Sequence, residues 1–158
     1  MTIKISNCDS FTSTLAAIAA EIPPVICRDG RQYPFVGEKG VRRALDDRPE
    51  LKMVNAILMY WLQTENEQAT KSTVVKNRRG LMSSHAATAS KVIEAVLAGA
   101  DLAPDQIYKA DGASFTGTSA YLEHVGGRYA KQLSVALRSW AIAQEPELGV
   151  TAGMFSVR

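Results

Sequence analysis

The sequence predicts a mainly α-helical, bundle-like single domain with a small N-terminal β-hairpin or strand element and an extended C-terminal tail. Three observations carry that expectation. The chain has 158 residues, 46% apolar and 22% charged, enough to bury one core and too apolar for wholesale disorder. Apolar residues recur at helical spacing in several segments, most densely over 50–63. Proline and glycine fall between those segments, where helices stop and start. The expected layout is a β-containing segment at 1–36, a helical core at 37–145 and the tail at 146–158.

In chain order, Ile3 and Ile5 alternate with polar neighbours and suggest a short strand. Ser10 or Asp9 suits an N-cap for a helix to about Glu21, built on Phe11, Leu15, Ile18 and Ala19 and ended by Pro23-Pro24. Asp29-Gly30, between Val25-Ile26-Cys27 and Tyr33, is a hairpin turn signal. A short helix is expected from Glu38 to Asp46. Pro49 then stands where a first-turn proline belongs. Leu51, Val54, Leu58 and Trp61 follow at helical spacing, with Met53, Ile57 and Tyr60 beside them, which marks a central helix.

Thr64 with Glu67 fits a capping box opening a polar helix to about Arg79, stopped by Gly80. The next helix starts at Ser83 or Ser84, carries Ala89, Val92, Ile93, Val96 and Leu97, and closes at Gly99. Pro104 predicts a short helix to about Gly112, and 111–119 reads as a Gly/Ser/Thr-rich connector. A last helix on Tyr129, Leu133, Leu137, Trp140 and Ala141 runs to about Glu145, with Gly126-Gly127 as a break near its start.

No phosphate loop, dinucleotide fingerprint, nucleophile elbow or zinc-protease motif occurs, so catalysis is not expected. His85 and His124 read as isolated surface or helix-end residues. Asp46-Asp47 reads as a solvated helix terminus. Cys8 and Cys27 read as small buried residues of a reducing compartment rather than a disulfide framework. No metal or other cofactor is expected. The start lacks the apolar stretch of a signal peptide, and Ala56–Leu62 is too short to span a bilayer; a cytoplasmic, membrane-free setting is expected.

One charge feature remains. The formal net charge is only +2, yet no acidic residue lies between Glu67 and Glu94, while Lys71, Lys76, Arg78, Arg79 and Lys91 do, with His85 among them. Clustered cations without carboxylates to neutralise them suit contact with a phosphate backbone. The expected function is therefore a non-enzymatic, self-assembling subunit, coat- or nucleocapsid-like, binding RNA rather than DNA without regard to sequence. Copies would associate through the apolar tail at Leu148, Val150, Met154 and Phe155. Base stacking would come from Tyr60, Tyr108 or Tyr121. Two alternatives stand beside it: a protein-binding inhibitor or adaptor, and a helix-turn-helix DNA-binding regulator with its recognition helix from Ser84.

Overall fold

A computed structural model describes residues 5–22, 25–26, 32–33, 37–62, 81 and 83–143. Among them are six α-helices: α1 (Phe11–Glu21), α2 (Glu38–Asp47), α3 (Pro49–Leu62), α4 (Ser83–Leu97), α5 (Thr118–Gly127) and α6 (Ala130–Ala143). Four short strands accompany them: β1 (Val25–Ile26), β2 (Gln32–Tyr33), β3 (Ile107–Ala110) and β4 (Ala113–Thr116). The mainly helical expectation holds. No helix among the described residues is long and apolar enough to cross a membrane.

α1 begins where its cap predicts. The Ser10 hydroxyl accepts the Ser13 N–H at 3.1 Å, and the Ser13 hydroxyl accepts the Ser10 N–H at 3.1 Å, so two otherwise orphaned donors are satisfied reciprocally. Thr14, fully buried, donates its hydroxyl back to the Ser10 carbonyl at 2.6 Å. The other end of α1 is tied down by Arg48, which pairs with Glu21 at 2.7 Å and also with Glu50. Arg48 thereby links the end of α1 to the start of α3. Asp46 and Asp47 at the end of α2 are exposed, as a solvated terminus requires.

α3 is the centre of the molecule. Eight of its residues are buried, from Leu51 through the run Val54–Tyr60. A helix apolar around its circumference must be covered on all sides, and α1, α2, α4 and α5 all pack on it. α5 makes the most extensive of these contacts. It comes so close because Gly126 faces α3. A Cβ there would sit 1.5 Å from the Lys52 carbonyl oxygen, inside any possible contact distance. Asn55, fully buried on α3, uses that proximity: its Nδ2 donates to the Gly126 carbonyl at 2.9 Å. Its Oδ1 accepts nothing among the described residues.

Three sequence expectations are corrected. The placement of the hairpin in the N-terminal segment is the first. The four-residue hairpin of this fold is β3–β4, in register Ile107↔Thr116 to Ala110↔Ala113. The N-terminal segment contributes only the two-residue contacts Val25↔Tyr33 and Ile26↔Gln32; prolines at 24 and 34, which lack an N–H, bracket that stretch in sequence. Second, Ile5 lies in a single 3-10 turn, Ile5–Asn7, not in a strand. Third, 107–116 is neither a helix nor a connector. Asp111 and Gly112 take φ of 51° and 78°, the left-handed pair that closes a two-residue hairpin loop. The turn chemistry of Asp-Gly, flanked by Ile107-Tyr108 and Phe115-Thr116, outweighs the helix-starting signal of Pro104. The last helical segment is interrupted, as Gly126-Gly127 suggested: α5 ends at Gly127 and α6 begins at Ala130.

The polar helix expected at 64–79 and the tail at 146–158 lie outside the described residues.

Candidate functional site

The β3–β4 hairpin lies with its inner face on α5. Tyr108 and Phe115, cross-strand partners, each stack on that helix. The Tyr108 ring lies over Tyr121 at 4.7 Å between centroids, and Phe115 over His124 at 4.3 Å. Thr118, buried at the first position of α5, anchors the base of the hairpin. Its hydroxyl accepts the Ala103 N–H at 3.2 Å and meets the Tyr108 hydroxyl at 3.2 Å. The Gly117 N–H donates to the Gln106 carbonyl at 2.7 Å, and φ of 95° there calls for glycine.

This anchoring aims the turn. Asp111, at its tip, places Oδ2 2.8 Å from His85 Nε2 on α4 and 2.7 Å from His124 Nε2 on α5. One carboxylate oxygen thus joins both histidines of the chain. His85 is buried, and its second ring nitrogen, Nδ1, lies 2.6 Å from the Tyr129 hydroxyl. The two imidazoles meet edge to face at 6.3 Å. The three side chains differ in access. That of His85 is 0% exposed, those of Asp111 and His124 21% and 23%, so the group has a closed end and an open one.

The hydrogen bonds from His85 and then His124 hold the Asp111 carboxyl below its usual range, with a smaller contribution from the charge of Arg128. An ionised carboxylate can only accept, so both Nε2 atoms are donors here. In a neutral His85 ring Nδ1 is then the acceptor, and the Tyr129 hydroxyl donates to it. Tyr129, His85, Asp111 and His124 are thus joined in one hydrogen-bonded chain. Burial raises the nearby Tyr121 phenol to about 12, with added pressure from Tyr129 and Tyr108, so Tyr121 remains a protonated core residue.

The reading of His85 and His124 as isolated is therefore overturned. His85 also leaves the cationic stretch to which its position assigned it, because it faces the core. Of the five cations proposed for phosphate contact, Lys91 is described, and it is exposed on α4. Lys71, Lys76, Arg78 and Arg79 lie outside the described residues, as do Leu148, Val150, Met154 and Phe155. Tyr60 and Tyr121 are 6% and 1% exposed and cannot present a ring face to a base. Tyr60 instead donates to Glu94 at 3.0 Å, and burial with this bond pushes its phenol up to about 12.

The helix-turn-helix alternative assigns its recognition helix to α4. α4 turns Ala86, Ala89, Ser90 and Ile93 inward and exposes Ala87, Thr88, Lys91 and Ala95, a face with few groups able to read base edges. Cys8 is a buried thiol, as expected; burial, eased by a hydrogen bond with Thr14, pushes its pKa up. Cys27 lies outside the described residues.

Comparison of the chain with protein families, with curated proteins and with solved structures returns no match.

Proposed function

We propose that the chain is a non-enzymatic, self-associating helical subunit that contacts nucleic-acid backbone, in the manner of a coat or nucleocapsid protein. One observation carries the reading: the acid-free interval between Glu67 and Glu94, with its five cations, in a chain of net charge only +2. A phosphate backbone selects for this local imbalance, whereas solubility alone is served by mixed charge. The exposed position of Lys91 supports it. So does the exposed Thr88 one turn before Lys91, whose hydroxyl can donate to a phosphate oxygen. The apolar tail residues Leu148, Val150, Met154 and Phe155 give the contact between copies.

The test is light scattering of the freshly purified chain together with its 260/280 nm absorbance ratio, before and after nuclease. Particles larger than a monomer, carrying nucleic acid and shrinking on nuclease treatment, are expected. A monomer with the absorbance of pure protein would exclude packaging and favour a protein-binding adaptor.

A further inference from the structure

We propose that His85, Asp111 and His124 form a binding site for one divalent transition-metal ion of the zinc type, with a fourth position open to water. The inference is independent of nucleic-acid binding. Its donors are two imidazole nitrogens and a carboxylate oxygen, all within 4.8 Å of one another. Imidazole suits Zn, Cu, Ni and Fe, and two imidazoles with one carboxylate leave a coordination position for solvent.

Four features suit the group to an ion. The donors come from three separate elements, α4, the β3–β4 turn and α5, so they converge through the tertiary fold and not by helical spacing. Two rings point their Nε2 atoms at the same oxygen, at 2.8 and 2.7 Å. The far nitrogen of His85 is held by the Tyr129 hydroxyl, the kind of outer partner that fixes the ring of a metal-bound histidine. Stacking on Phe115 fixes the plane of the His124 ring. Bonds of about 2.0–2.2 Å to a tetrahedral ion need donor separations of about 3.3 Å. The two nitrogen–oxygen pairs, at 2.8 and 2.7 Å, must therefore open by about half an ångström, and the two nitrogens, within 4.8 Å of one another, must settle at the same spacing; the part-exposed Asp111 and His124 side chains can make that adjustment.

The proton balance is closed within the ring. Coordination uses the Nε2 lone pair of His85, so its proton moves to Nδ1. No proton need leave that ring. The bond to Tyr129 then reverses, with Nδ1–H donating to the phenol oxygen. His124 undergoes the same change of tautomer, with its Nδ1 proton toward solvent or a neighbour.

Imidazole 15N NMR of the full chain, titrated with Zn2+ after chelator treatment, tests this. The chain has only two histidines, so the assignment is simple. Both Nε2 signals should move to metal-bound positions and both Nδ1 signals to protonated ones, saturating at one equivalent. H124Q and D111N should each weaken Zn2+ binding at least tenfold by calorimetry. Either imidazole left unmoved at one equivalent overturns the site, and so does binding by folded D111N as tight as that of the wild type. The NMR result on the unmodified chain decides the matter if a variant does not fold.

Discussion

Asp111 is a short acidic side chain at the tip of a tight turn, and its position lets it join two helices, α4 and α5. His85 lies 26 positions before it and His124 13 after it. Neither histidine has a carboxylate at helical spacing, so nothing periodic in the sequence joins them. What joins them is the turn. The dipeptide Asp-Gly was the available signal at 111–112, as it was at 29–30, and a proline at 104 masked it. The depressed Asp111 carboxyl makes a definite prediction. A group whose folded pKa is lowered adds stability that is complete above its unfolded value, about 4, and is lost as pH falls through the folded value. The groups facing it are His85 from α4, His124 from α5 and Arg128 just beyond α5. D111N should therefore melt below the wild type at pH 6, and the gap should close as pH falls below about 4. Melting curves of the two proteins from pH 7 to 2.5 measure it. A gap that stays constant across that range would mean that the carboxylate charge does not hold the turn.

Elements show why some of the fold was readable and some was not. α1 was legible from Ser10 and its apolar spacing, α3 from Pro49 and the density of Leu, Val, Ile and Met, and α4 from its stop at Gly99. In each, local propensity and tertiary burial agree. β3–β4 was not, since its strands are short and mostly exposed, with Ile107 64% exposed, so alternation is weak. The approach of α5 to α3 was invisible for another reason: Gly126 looks in sequence like a helix breaker, and only the Lys52 carbonyl opposite explains it. Adding a methyl group there gains about 1 kcal/mol of helix propensity. It also forces two backbones apart, an overpacking cost of about 3 kcal/mol. G126A should thus lose about 2 kcal/mol in urea denaturation. G127A meets only the flexible Lys52 side chain, with the nearest atom at 3.3 Å, and should stay within about 1 kcal/mol of the wild type. Equal losses at the two positions would contradict the packing described for α3 and α5.

For the whole molecule, the structure shows a buried α3 with α1, α2, α4 and α5 packed on it, and the proposed function assigns the surfaces for other molecules to the cationic interval and the apolar tail. The helical class was legible because core formation depends on many residues at once. The candidate site was legible only in part: the charge imbalance is a property of sequence, whereas the His85–Asp111–His124 group exists only in the folded chain. The proposed function requires that the interval between Glu67 and Glu94 meet phosphate. Each cation that displaces a counterion from single-stranded RNA steepens the plot of log affinity against log salt by about 0.7. Measured over a range of salt concentrations on a homopolymer RNA, the wild-type plot should be steep. The double variant R78A/R79A should flatten it by about 1.4. Equal slopes for the two proteins, or wild-type binding indifferent to salt, would contradict the claim.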